Sequence, residues 1–496
     1  MRVQTLVTLV RYSKCSPAIS MNFPASNKGR INTKILAQFC MIAGNNHVFC
    51  DEATLTINAS DETEDYKFLP EVVLKPRTAH EISEIMKICN RERIAVTPRG
   101  GGTGLSGGAL PVCGGVIINM ERFNEILHID EINLQATVEP GVITQVFQET
   151  LKAKGLFYPP DPSSRGTCFL GGNLAENAGG PKAVKYGVTR DYVINMEVVL
   201  PTGEITWTAA NVLKNATGYN LTQLLIGSEG TLGIITKIVF KLRSYPQKDI
   251  TLLVPFSASE EACRAIAAIY MAGVTPSGME FMERSAVEKT LVYMEKVLDA
   301  KLALELSENM NAVLLIELDG NDEEVLLRDA EKIMKVLEDY ETGEMLFADT
   351  AAQKDLFWKL RRNVSPAVNA YSLTKAEDVV VPRANLPKLV TAIKDIGREY
   401  GFNSVCYGHV GDGNLHINIM KEQLSAEYWN TEVNKAIGEI FRRVVELGGT
   451  LSGEHGIGIA KRPYMPLAMS AIQLELMRGI KKVFDPNWIL NPEKIF

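Results

Sequence analysis

The sequence of 496 residues is poor in histidine, with six, and in tryptophan, with four, and its eight cysteines include no Cys-x-x-Cys pair. The missing spacing excludes the usual structural zinc sites and iron–sulfur cluster motifs, and scattered single cysteines point to a reducing compartment. No apolar run approaches the roughly 18 residues that a membrane-spanning helix needs. Basic residues do not dominate: 52 Lys and Arg stand against 59 Asp and Glu, a formal net charge of −7. That leaves no electropositive footprint for nucleic acid. Acidic residues are in turn absent before Asp51, while Arg2, Arg11, Lys14, Lys28, Arg30 and Lys34 precede it. An acid-poor start of this kind reads as a transit or signal peptide, or as a dispensable leader with Met21 as the real start, and the last reading is preferred.

What is present in quantity is glycine, and it is clustered. The first cluster is Pro98-Arg99-Gly100-Gly101-Gly102-Thr103-Gly104-Leu105-Ser106-Gly107-Gly108. Such a loop lets the backbone approach a ligand closely and turns successive N–H groups toward phosphate oxygens. Gly102-x-Gly104-x-x-Gly107 also fits the dinucleotide fingerprint, but no helix signal follows it, and without that helix the fingerprint does not apply. Asp161-Pro162-Ser163-Ser164 leads into a second cluster over residues 171–181, and a third runs from Gly227 to Gly233. Three glycine loops between short strand-like runs read as one extended cofactor bed.

After residue 245 the texture becomes an alternation of strands and helices without glycine nests, the pattern of a second α+β domain. Ser257 or Ser259 is placed to cap a helix through Tyr270, and residues 358–370 read as one helix. Three of the histidines then fall in two compact motifs. Cys406-Tyr407-Gly408-His409-Val410-Gly411-Asp412-Gly413-Asn414-Leu415-His416 reads as a β-hairpin turning at Asp412-Gly413, with His409 and His416 side by side. Two facing imidazoles are a metal-site geometry. In Ser452-Gly453-Glu454-His455-Gly456 the glycines leave Glu454 and His455 uncrowded. Glu454 either completes a His₂Glu ligand set or orients His455, which is suited to act as a base near neutral pH. His47, His80 and His128 read as structural.

The glycine motifs, in this order and spacing, resemble the FAD-binding domain of the vanillyl-alcohol oxidase / p-cresol methylhydroxylase superfamily. Residues 408–416 and 452–458, with the closing Asp485-Pro486-Asn487 and Leu490-Asn491-Pro492, are similar to its D-2-hydroxy-acid branch, which includes D-lactate and D-2-hydroxyglutarate dehydrogenases and the flavin subunit of glycolate oxidase. The resemblance implies an α+β fold: a two-subdomain FAD-binding domain over residues 51–245 and an FAD-linked oxidase domain with a mostly antiparallel sheet over 246–470. Residues 1–50 would be a leader and a first helix, and 471–496 a helix and tail packed back on the FAD domain.

It implies an FAD bed of Pro98, Arg99, Gly100, Gly101, Gly102, Thr103, Gly104 and Ser106, of Asp161 and Ser164, and of Gly171, Gly172, Asn173, Asn177 and Gly180. Gly227, Glu229, Gly230, Gly233, Ile234 and Asn491 complete the bed. Thr103 stands where some members carry a histidine that bonds FAD covalently, so non-covalent FAD is expected. The branch further implies a divalent metal, zinc by custom, on His409, His416 and Glu454, with His455 as general base and Arg361 on the substrate carboxylate. Lys375 matches a branch lysine only approximately.

The expected reaction is oxidation of a D-2-hydroxy acid by hydride transfer to FAD. Electrons would pass to an electron-transfer flavoprotein, a quinone, a cytochrome or an iron–sulfur subunit. Rival readings are an NADPH-dependent enolpyruvyl reductase and a non-catalytic flavin-binding subunit. A cytoplasmic place is expected, including one peripheral to the inner membrane, or a mitochondrial one if the leader is a transit peptide, and a homodimer is compatible with all of this.

Overall fold

Val116–Asn119, three β-branched apolar residues and an asparagine, is buried along its whole length, and the first sheet is built around it. In the computed structural model, which describes residues 29–496 apart from 64, 65, 303, 305, 306 and 349, it pairs in parallel with Val72–Leu74 on one side and Val96–Arg99 on the other. The leader expectations for residues 1–28 lie outside the described residues. Val48–Phe49 adds an antiparallel edge, completing four strands. Helix Ala79–Glu92 begins with Thr78 Oγ1 accepting the Glu81 amide at 3.2 Å, and the Glu81 carboxylate accepts from Arg77 N at 2.8 Å.

The second sheet is antiparallel throughout, in the order Ile126–Asp130, Gln135–Val138, Ile234–Lys241, Val193–Val199, Ile205–Trp207. Helices Thr144–Lys152 and Leu170–Glu176 pack on it through Phe147, Leu151, Leu170 and Leu174. The first and third glycine clusters are connections at the ends of these two sheets, whereas the second, expected as a loop, is mostly the helix Leu170–Glu176 and the turn after it.

The third sheet has seven strands, all antiparallel, in the order Leu346–Ala348, Lys248–Phe256, Ala312–Gly320, Gly278–Glu283, Asn403–Gly408, Asn414–Met420, Thr374–Val380. Its inner strands are largely buried on both faces because helices cover both. One core packs them against Ser259–Met271, Glu323–Leu337, Leu386–Glu399 and Glu432–Glu446. The other packs them against Arg284–Val297, Ala351–Arg362 and Val364–Tyr371. Ser259–Met271 has Ala258 at its N-cap and no side-chain cap, so neither Ser257 nor Ser259 plays the predicted role. The single helix expected over 358–370 is two, broken at Asn363. Pro366, which has no N–H to give, sits in the first turn of the second helix, where none is needed.

The two halves meet through charge. Lys182 pairs with Glu317 and Lys185 Nζ lies 2.6 Å from Asp319 Oδ1, while within the second half Trp358 Nε1 donates to Glu317 Oε2 at 2.7 Å. The tail returns to the first sheet: Val96 N donates to Ile489 O at 2.8 Å and Asn491 N to Val96 O at 2.6 Å. Among the described residues no helix is long and apolar enough to cross a membrane.

Candidate active site

A cavity of about 970 Å³ runs between the glycine clusters and the edge of the seven-stranded sheet. Residues 98–104, Ser164, Gly171, Gly172, Asn173, Glu229, Gly230, Gly233 and Ile234 line one side. Arg361, Tyr407, His416, Asn418, Glu454 and His455 line the other. A Cβ placed on Gly104 or Gly172 would meet nothing within 4 Å, so bare backbone faces the open cavity at these two points. At Gly101 a Cβ would come within 2.7 Å of Thr167 O, so the first and second clusters are pressed together there. A long cradle walled by exposed backbone fits a dinucleotide with a flat ring system.

The remaining residues expected in the bed lie behind this lining. Ser106 turns its carbonyl to the amides of Ile459 and Ala460, at 3.0 and 3.1 Å. Asp161 pairs with Arg165 at 3.0 Å and with Arg362 at 3.3 Å, joining the two halves. Asn177, with φ 56°, ends the helix Leu170–Glu176 and accepts from Arg190 N at 2.9 Å. Gly180 packs on the backbone of Asp161, and Gly227 takes φ 74° beside Asn177. Asn491 Nδ2 donates to Gly108 O at 2.9 Å and Glu229 O at 2.7 Å, tying the tail to the first and third clusters.

On the opposite wall three imidazoles and two carboxylates converge. The strand pairing sets Tyr407 and Asp378 opposite His416. Directly opposed residues share a face, which brings these side chains together. His409 lies just past the end of its strand, in the turn before Gly413, which takes φ 90°. The rings of His409 and His416 are 5.2 Å apart at 85°, so they do meet, with His409 in the turn rather than on an arm. Glu454 Oε1 lies 3.2 Å from His409 Nε2 and 3.5 Å from His416 Nε2. The donor atoms of His409, His416 and Glu454 all fall within 4.8 Å of one another.

Two residues that the sequence reading passed over organise this group. Glu280, fully enclosed, accepts from His409 Nδ1 at 2.8 Å and lies 2.6 Å from Arg361 Nε. A carboxylate on the far nitrogen fixes the ring and directs Nε2 inward, as in many metal centres. Asp378 Oδ2 accepts from Ser452 Oγ at 2.9 Å and from the amides of Gly453, Glu454 and His455 at 2.9, 2.9 and 3.0 Å. Its other oxygen accepts from Asn414 Nδ2 at 2.6 Å. Asp378, His416 and His455 also lie close enough to form a ligand set. Asp378 is already saturated by these donors, so the set with Glu454 is the better metal site.

Burial opposes charge throughout, and the partners decide where it stays. It would lower His409, but Glu280 and Glu454 outweigh it and push the imidazole up to about 10. Burial and the neighbouring His455 take His416 down to about 3, leaving its ring neutral. Burial would raise Glu454, yet His409 and His416 pull it down to about 2. Burial likewise works against Asp378, and His455, Lys461 and His416 hold it well below the usual range. The donor set fits a divalent cation with open coordination positions, the cation taking the place of the proton on His409. Arg361 is buried, its guanidinium 5.1 Å from the Tyr407 ring, and its Nη2 has no hydrogen-bond partner.

Comparison with known proteins agrees with this architecture. The FAD binding domain model matches residues 70–209, and that of the C-terminal domain of FAD linked oxidases matches 245–495. The chain belongs to the FAD-linked oxidase family. Within it, the chain is 39% identical to glycolate oxidase subunit GlcD of Bacillus subtilis, over 94% of this chain and 97% of that one. It is 37% identical to D-lactate dehydrogenase of Anaerostipes hadrus, over 94% and 98%. To D-2-hydroxyglutarate dehydrogenase of Stutzerimonas stutzeri it is 32% identical, over 90% and 96%. The fold is that of p-cresol methylhydroxylase, TM-score 0.78 at 18% identity over 93% and 96% of the two chains. As a family member this FAD-linked oxidase is an FAD-binding oxidoreductase.

Glu280 carries a readable signal: it is one of two acids in Gly278–Glu283, a strand buried at every position. Asp378 offers less, because an acid before Val379-Val380-Val381 also reads as the solvated start of an edge strand.

Proposed function

We propose that this FAD-linked oxidase oxidises a small D-2-hydroxy acid to the 2-oxo acid and hands the electrons to a separate acceptor. The observation that carries the reading is the buried, unpartnered Nη2 of Arg361 on the same wall as His416, Glu454 and His455. A guanidinium presented in this way suits a carboxylate, which it grips in two parallel bonds. With the carboxylate there, the adjacent hydroxyl falls to His455, whose imidazole takes its proton as general base. Glu280 keeps Arg361 and His409 from drifting, and Asp378 holds the backbone that bears Glu454 and His455.

When bound, non-covalent FAD supplies a two-electron acceptor and a divalent metal, zinc by its donor set, supplies Lewis acidity at His409, His416 and Glu454. The names of the relatives share a 2-hydroxy-acid unit, which supports the substrate class. The acceptor is an electron-transfer flavoprotein, a quinone, a cytochrome or an iron–sulfur subunit, since the cysteines lack cluster spacing.

A dye-linked assay tests the proposal. FAD-loaded protein given D- and L-2-hydroxy acids with an artificial electron acceptor is expected to form one 2-oxo acid per two electrons accepted, from at least one D-acid. Failure with every acid would overturn it.

A further inference from the structure

The segment carrying Glu454 and His455 is suspended between two buried carboxylates that belong to different halves of the molecule. Asp378, on the seven-stranded sheet, takes the amides of Gly453, Glu454 and His455. Glu229, from the third glycine cluster, takes the next amides with one oxygen each: Ile457 N at 2.8 Å on Oε1 and Gly458 N at 2.7 Å on Oε2. Gly456, between the two grips, has φ 82°, and a Cβ there would lie 1.9 Å from Glu176 Oε2. The segment therefore has no freedom to slide.

Glu229 is itself held in a costly conformation. Its φ is 50°, a left-handed value that a residue with a side chain adopts only at a cost. Its own amide donates to Ala175 O at 2.9 Å and its carbonyl accepts from Asn491 Nδ2 at 2.7 Å, so the neighbourhood maintains it. A backbone strain kept at a residue whose carboxylate reaches 228 and 229 positions along the chain is consistent with a positional task.

We propose that Glu229 is a positioning residue: it fixes the base-bearing segment to the glycine bed, setting where Glu454 and His455 stand against the cavity. The inference rests on the reading of His455 as base only for its kinetic consequence. Its structural content concerns the segment alone. Two carboxylate oxygens are needed, because a carboxamide accepts through one oxygen only and its NH₂ would face an amide donor.

Hydrogen exchange read residue by residue in the FAD-loaded protein tests it. In the wild type the amides of Ile457 and Gly458 are expected to be as protected as those of Gly453–His455. Exchange at the unprotected rate would overturn the proposal without any variant. Glu229→Gln is expected to speed exchange at 457 and 458 about tenfold or more while Gly453–His455 stay slow under Asp378. It should lower kcat about 10- to 100-fold with KM little changed, and Glu229→Asp, which keeps both oxygens, should recover part of both effects. If Glu229→Gln releases FAD while exchange at 457 and 458 stays slow, Glu229 is a cofactor contact and the proposal fails. Inactivity toward every 2-hydroxy acid would count against the proposed reaction and leave the exchange result to stand or fall separately.

Discussion

His416 and His455 stack face to face, their ring centroids 5.2 Å apart and their planes 10° from parallel. Burial and the neighbouring His455 hold the His416 imidazole neutral. A neutral His416 keeps a lone pair that suits it to the proposed metal, and the proposed base is the ring stacked on it.

Glu280→Gln tests the group that joins ligand and substrate arginine. The carboxylate serves His409 Nδ1 and Arg361 together, and a carboxamide leaves the guanidinium charge uncompensated. We expect metal content measured by elemental analysis to fall, with an affinity loss of about 10- to 100-fold, and kcat/KM to drop by a similar factor. Flavin absorbance should persist, because the glycine bed is untouched. Unchanged metal content together with unchanged kcat/KM would contradict the role.

Gly104→Ala and Gly172→Ala test the bed itself. A Cβ at either position meets no protein atom within 4 Å, so the FAD-free protein should keep its melting temperature. The methyl group would instead occupy the cofactor's space, and the FAD dissociation constant measured by flavin fluorescence is expected to rise about tenfold or more. Undiminished FAD affinity in both variants would place the cofactor elsewhere.

How much of this was legible in the sequence depends on range. The turn at Asp412-Gly413 is local chemistry and is legible, whereas the cap expected at Ser257 or Ser259 is not made. The glycine clusters announced a cradle because three of them stand between short strands. Asp378 looks ordinary along its own strand, and Glu280 stands out only as an acid in a strand buried throughout, which does not name its partner. Their importance comes from His409, 129 residues away, and from the amides of 453–455, 75 to 77 residues away. The break at Asn363 escaped notice because an apolar helical pattern continues across it, so only the cap geometry reveals it. Ser106, Asn177 and Gly180 were read as bed residues because their motifs are contiguous with residues that line it.

Glu176→Gln tests a buried acid that lines the cavity. Burial, then the charges of Glu229 and Asp61, raise its carboxyl well above the ordinary range, and its Oε2 has no hydrogen-bond partner. The unfolded chain releases this proton near the usual pKa, whereas the folded protein retains it to a higher pH. Folding therefore loses stability as pH rises from about 4.5 through the raised value, with no further loss above it. The glutamine variant lacks that slope. Its melting temperature should exceed the wild type's by on the order of a few degrees at pH 8, the gain shrinking toward pH 5. A constant difference across that range would contradict the assignment.

The central claim is that His455 takes the hydroxyl proton of a 2-hydroxy acid held by Arg361 beside bound FAD. Anaerobic mixing of the FAD-loaded protein with an accepted D-2-hydroxy acid measures that step by the loss of the flavin's visible absorbance. Rapid bleaching is expected in the wild type. In His455→Ala, with FAD fully bound, bleaching should be about 10²- to 10⁴-fold slower. Bleaching of His455→Ala at the wild-type rate would contradict it.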